Sequence, residues 1–290
     1  MESKAQAILD FVVQDRLHGA NSLAREMLLR IENWVHELDS LFLTELDELA
    51  QALTTCRPSM APIGNCADRW HQQLQTLEPS VDVKAAVLEE LGKVRTALLS
   101  ANQSIAEHCR ALISSEAGSN KEPLCIFTHS YSSAVETLME SLVASALPFR
   151  VVMTTSYPGF EGQNFAAKLN DLKIETTLIP DTQAAILLPE CDYVILGADM
   201  LLEDRHVINK CGTYLIAAAA KELHKPLWFL ADTFKHSHLK RPAITLEEMD
   251  VSELNAPSGD YIQVRNIYFE AVPSNLYTGW IDEQGVHQVQ

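Results

Sequence analysis

Two hydrophobic periodicities divide the chain. From Met1 to about Ser115 apolar side chains recur at helical spacing. Ile8, Phe11, Val12 and Leu17 form one stripe, Leu23, Met27, Leu28 and Ile31 a second, and Leu41, Leu46, Leu49 and Leu53 a third. Further helices are expected over Val83–Leu98 and Gln103–Ser114. His18-Gly19-Ala20-Asn21-Ser22 interrupts the pattern with a glycine and two candidate N-caps. Thr54 to Pro62 interrupts it again. After Glu116–Glu122, polar and glycine-bearing, the texture changes. Short apolar runs (Leu124–Phe127, Phe149–Met153, Thr176–Ile179, Tyr193–Leu196 and Leu227–Leu230) now alternate with helical stretches. That alternation predicts an α/β fold whose mostly parallel sheet carries helices on both faces. The expected division is a helical domain over residues 1–118 and an α/β domain over 119–290.

The chemistry is expected at the strand ends, because open α/β sheets bind ligands beyond the carboxyl ends of their strands. Those ends read Thr128-His129-Ser130, Thr154-Thr155-Ser156, Pro180-Asp181, Gly197-Ala198-Asp199 and Ala231-Asp232-Thr233. Helix N-caps explain many such Ser, Thr and Asp residues, but not a histidine beside a serine. Asn209-Lys210-Cys211-Gly212-Thr213 follows Asp199 closely and precedes the Ala-rich helix Tyr214–Leu223. A lysine, glycine and threonine before a helix N-terminus suit an anion, since free N–H groups point there. The same ammonium and helix terminus would favour a Cys211 thiolate. In the helical half Pro58 fixes Arg57, whose guanidinium either grips a phosphate or carboxylate or caps a neighbouring helix.

Composition narrows the function classes. The 290 residues carry a net charge of −17, against the clustered Lys and Arg a nucleic-acid surface needs. An anionic small molecule needs only two or three local cations and stays open. No stretch approaches the ~20 continuous apolar residues of a membrane span. The acidic, amphipathic start MESKAQAILDFVVQD lacks a signal peptide's apolar region, so a cytoplasmic protein is expected. Cys56, Cys66, Cys109, Cys125, Cys191 and Cys211 form no CxxC pair and share no metal-ligand spacing with a histidine. Free thiols, no metal site and no cofactor are expected.

GADMLLEDRHVINKCGTYLIAAAAKE (Gly197–Glu222) resembles the signature of one family. It comprises the alpha, beta and delta regulatory subunits of eukaryotic initiation factor 2B, the ribose-1,5-bisphosphate isomerases and the methylthioribose-1-phosphate isomerases. HGANSL (from His18), CRPSMAP (from Cys56), FTHSYSSAV (from Phe127), SYPGFEG (from Ser156), ADTFK (from Ala231), NIYFEAVP (from Asn266) and WIDEQGV (from Trp280) extend the resemblance over nearly the whole chain. It implies a helical N-terminal domain, a Rossmann-like C-terminal domain, an interdomain cleft and a homodimer through the C-terminal domain. Apolar segments Ile267–Phe269 and Leu276–Ile281, expected to lie exposed, point to an interface as well. By the same resemblance Arg57 is the phosphate-binding arginine, Asn209 and Lys210 contact substrate, and Asp199 is the catalytic aspartate. His18, Gly19 and Glu161 fall at further ligand positions.

Three departures qualify the match. The isomerases carry a catalytic cysteine after Thr-His, where this chain has Ser130. They carry an arginine before the proline of the SYPG segment, here Tyr157, and one in the N-terminal glycine loop, here His18. A thiol titrates near ~8.5 and can be tuned to neutral pH, whereas an unassisted hydroxyl cannot. The leading expectation is a protein that binds a phosphorylated sugar or nucleotide without the isomerase chemistry. The alternatives are an aldose–ketose isomerase in which Asp199, His129 and Ser130 share the proton transfers, and a subunit of a translation-factor-like assembly.

Overall fold

The computed structural model describes residues 3–15, 19–38, 43–58, 60–76, 82–116, 123–246 and 248–289. Leu17, His18, Leu41 and nearly all of the expected linker lie outside them. The chain divides into two compact units, Met1–Ala101 and Asn102–Gln290.

The first unit is helical. It holds α1 (Ser3–Gln14), α2 (Ala20–Glu37), α3 (Leu43–Thr55), α4 (Ala61–Leu74) and the start of α5 (Val83–Glu116). Leu23, Met27, Leu28 and Ile31 of α2 are fully buried, as are Leu46, Leu49 and Leu53 of α3. Each such side chain contributes about 1.5–3 kcal/mol by leaving water. Pro62 sits in the first turn of α4, where its missing N–H costs nothing. One continuous helix replaces the two expected over Val83–Leu98 and Gln103–Ser114. Leu99-Ser100-Ala101-Asn102 contains neither glycine nor proline, so nothing in it stops the helix.

The second unit is built on β1 (Leu124–Thr128), β2 (Phe149–Thr154), β3 (Glu175–Ile179) and β4 (Tyr193–Gly197). The chain then forms β5 (Met200–Leu202), β6 (Val207–Lys210), β7 (Leu227–Leu230), β8 (His236–Ser237), β9 (Phe269–Val272), β10 (Gly279–Asp282) and β11 (Gly285–Gln288). All five expected strands are present. The main sheet runs β11-β10-β7-β4-β1-β2-β3. Every neighbouring pair in it is parallel except β10 and β11. The chain winds outward from β1 to β3 and restarts at β4 on the other side of β1. This is the strand order of a Rossmann-like fold, and its switch point lies between β1 and β4.

Helices cover both faces: α6 (Ser133–Ala144) and α7 (Glu161–Asp171), then α8 (Ala184–Leu187) and α9 (Thr213–Glu222). Ile126, Val151, Ile195, Trp228, Leu230 and Ile281 face the second half of α5 with α6 and α7. Phe127, Val152, Val194, Leu196, Leu227 and Phe229 face α8 and α9. Side chains two apart share a face, so burying both faces requires the unbroken apolar runs seen in the sequence.

The chain also forms a second sheet, β8-β5-β6-β9, that the apolar runs do not announce. Its strands have two to four residues, too few to show a period. It places Asn209 and Lys210 at the end of a strand, Val207–Lys210. The segments expected to lie exposed are largely covered by the fold itself. Phe269 pairs with Lys210 across β9 and β6. Gly279–Ile281 runs beside β7, with Ile281 fully buried and Tyr277 set edge-on to the Phe229 ring at 5.1 Å. Among the described residues no helix is long and apolar enough to cross a membrane.

Candidate functional site

The ends of β1 and β2 carry two strained serines. Ser130 and Ser156 adopt φ of 63° and 62°, left-handed values that cost a residue with a side chain about 1–3 kcal/mol each. The surroundings hold both. Ser130 N–H donates to Ser156 Oγ at 2.8 Å. The N–H groups of Ser156 and Tyr157 both donate to the Asp181 carboxylate at 2.9 Å. Asp181, two residues beyond the end of its strand, is thus the anchor of the neighbouring strand's loop.

His129 lies between them, only 2% exposed. Its Nε2–H donates to the Cys211 carbonyl at 3.0 Å, which fixes the tautomer, and Nδ1 accepts from the Thr154 hydroxyl. Burial pushes its pKa below the ordinary histidine value, with Lys210 adding to the effect and Asp181 and Glu161 opposing it. The imidazole is therefore neutral and both ring nitrogens are in use. It joins β1, β2 and the loop before α9 rather than offering a free base.

Lys210 ends β6 almost fully buried, 4% exposed. Its Nζ donates to Glu161 Oε1 at 2.8 Å and sits 3.5 Å from the centroid of the Tyr268 ring. Tyr268 hydroxyl in turn donates to Glu253, which also accepts from Asn266. Asn209, 5% exposed, donates to the Thr213 hydroxyl at 2.9 Å. Asp199 N–H donates to the Ile208 carbonyl at 2.9 Å. Met200 pairs with Ile208 across β5 and β6, so Asp199 and Met200 both meet Ile208, the residue before Asn209. The short sheet thus brings the Asp and the Asn-Lys pair together. Glu161 Oε2 is sealed from solvent without a hydrogen-bond partner.

The mouth of α9 does suit an anion, and the chain supplies it. Gly212 N–H and Tyr214 N–H both donate to Glu270 Oε1 at 2.7 Å. Gly212 has φ of 106°, and a Cβ there would meet the His129 ring at 3.1 Å. The Cys211 thiol is not activated as its neighbours suggested. Partial burial and then the Glu270 carboxylate push its pKa up, outweighing the Gly212 amide and Lys210.

Arg57, in the first unit, is 9% exposed. Its Nη1 donates to the carbonyls of Val12 at 3.1 Å and Asp15 at 3.0 Å, at the end of α1. Of the two roles open to this side chain, the observed contacts are those of a helix cap. Gly19 is the N-cap of α2, and His18 lies outside the described residues. No motif marks Asp181, Glu253, Tyr268 or Glu270 for these roles. Only Asp181, beyond an apolar run, had a local signal; Glu270 reaches a loop 58 residues away.

The profile of the Initiation factor 2 subunit family matches residues 16–289. A putative translation initiation factor eIF-2B subunit 2-like protein of Pyrococcus horikoshii is 30% identical over 96% of this chain and 94% of its own. A methylthioribose-1-phosphate isomerase of Syntrophotalea carbinolica is 29% identical, covering 98% of this chain and 87% of its own. The crystal structure of the Pyrococcus horikoshii OT3 translation initiation factor eIF-2B superposes with a TM-score of 0.83 at 28% identity, covering 99% and 98% of the two chains. With strand order, site motif and full-length similarity in agreement, the chain belongs to the initiation factor 2 subunit family.

Proposed function

We propose that this chain binds a phosphorylated sugar or nucleotide at the strand ends of its second unit and does not isomerise it. One observation carries the reading: Glu161 Oε2 is buried without a partner beside the buried Lys210. A buried acceptor of this kind costs free energy unless a donor reaches it. A ligand hydroxyl is such a donor, with Lys210 holding the carboxylate in place. Asp199 and Asn209 then face the same ligand. Against turnover stand Ser130 in the cysteine's place, a His129 with both nitrogens engaged, and a Cys211 thiol shifted away from ionisation.

The experiment is a thermal-shift panel of pentose and hexose phosphates and nucleoside monophosphates, each with its dephosphorylated counterpart. At a hundredfold excess over Kd a ligand of the folded state adds about 2.7 kcal/mol. The phosphorylated compound alone should raise Tm, and Lys210→Ala should abolish the rise. Equal shifts from the dephosphorylated compounds would refute the phosphate part. Ketose formation from ribose-1,5-bisphosphate or methylthioribose-1-phosphate, lost in Asp199→Asn, would refute the binder reading.

A second observation favours self-association. Leu215 on α9 and Ile186 on the adjoining α8 are 74% and 68% exposed. Large apolar side chains left in water at neighbouring positions suit a two-fold homodimer.

A further inference from the structure

Cys125 and Cys191 meet in the second unit with their sulfurs 3.3 Å apart. Cys125 is the second residue of β1, and Cys191 lies two residues before β4. The backbones are locked there: Asp192 N–H donates to the Cys125 carbonyl, and Cys125 N–H donates to the Asp192 carboxylate, both at 2.8 Å. Neither thiol has a part in the site described above, which lies beyond the opposite ends of these strands. We propose that Cys125 and Cys191 are a redox pair that closes to a disulfide under peroxide, stapling β1 to the segment entering β4.

The surroundings fit that chemistry. With both thiols protonated, Cys125 S–H donates to Cys191 Sγ, and Cys191 S–H points to the Leu187 carbonyl at 3.5 Å. When Cys125 ionises, the Cys191 S–H turns to donate to it. That hydrogen bond, aided by Arg150, holds the Cys125 pKa below the usual thiol value despite burial. The same contact and burial push Cys191 up. One thiol of the pair is thus the nucleophile and the other keeps its proton, the division a two-cysteine redox site needs. Arg150 is level with Cys125 across β1 and β2, and its guanidinium is paired with Glu190 at 3.5 Å. The pair is buried, 2% and 0% exposed, but that ion pair beside it is partly open to solvent. Hydrogen peroxide, little larger than water, is the oxidant proposed.

The steps balance. Cys125 thiolate attacks peroxide, releasing hydroxide and leaving a sulfenic acid. Cys191 sulfur then attacks Cys125 sulfur, and the sulfenic oxygen leaves as water with the Cys191 proton. Two thiols are oxidised and one peroxide is reduced.

The test is to treat the reduced full chain with graded hydrogen peroxide, alkylate the remaining thiols under denaturing conditions, and map the peptides. The expected result is a linked Cys125–Cys191 peptide pair, with two of the six thiols lost together. Exposed Cys211 is the internal control for oxidation without a partner. In Cys191→Ser, Cys125 should instead be trapped by dimedone as a sulfenic acid. The oxidised wild type should have the higher Tm, reversed by a phosphine reductant, because the bond closes a long loop. Oxidised Cys211 with Cys125 and Cys191 both still free would overturn the proposal, as would Cys125 linked to another cysteine or a Tm unmoved by the linkage. Should Cys191→Ser fail to fold, the wild-type map and Tm decide alone.

Discussion

At the scale of single residues, the strand-end region turns on how little room surrounds His129. Gly212 has a backbone that L side chains rarely adopt and an imidazole 3.1 Å from where its Cβ would be. Gly212→Ala should therefore cost about 2 kcal/mol or more in urea denaturation, from left-handed strain plus the clash. A change within a few tenths of a kcal/mol would mean that the ring is not held there. His129 itself predicts a pH effect. Its folded pKa is depressed below 6.5, so on acidification the unfolded chain takes up this proton first. Its contribution is full above that value and falls away as pH drops through it. The stability difference between wild type and His129→Gln should shrink from pH 7.5 to 5.5. A difference that grows on acidification would show a charged imidazole.

At the scale of elements, a structural role and a ligand role are told apart by separate measurements. Arg57 holds two carbonyls at the end of α1 through one nitrogen. Arg57→Ala leaves them to water and should lower stability by about 1.5–3 kcal/mol, the range for hydrogen bonds that involve a charged group. Arg57→Lys should recover part of this, since an ammonium still donates but without the planar fork. If Arg57→Ala abolished ligand binding and left the denaturation midpoint unmoved, the cap would be incidental. The loop after β2 follows a similar logic, with two amides converging on Asp181 from a different strand.

At the scale of the molecule, the net charge of −17 and the exposed Leu215 and Ile186 bear on association. Self-repulsion opposes close approach of two copies, and salt screens it. Sedimentation at micromolar concentration should show a dimer strengthened by salt, and Leu215→Glu should shift it toward monomer. A wild type that sediments only as monomer across that range would remove the homodimer proposal.

The chain by itself determined its class of fold. Apolar runs at Leu124–Phe127, Tyr193–Leu196 and Leu227–Leu230 are long enough to declare strands covered on both faces, because a both-faces-buried strand has no polar alternation. It also determined where the polar groups would gather, since each run ends in Ser, Thr, His or Asp. Tertiary structure alone decided what those groups do. The short sheet that bonds Asp199 to Ile208, next to Asn209 and Lys210, has strands too brief to carry a period. Lys210 meets Glu161 49 residues away, and the α9 amides meet Glu270 at 56 and 58. Local pattern reports only neighbours along the chain. Whether a lysine faces a ligand or its own chain's carboxylate depends on partners that folding brings from a distance.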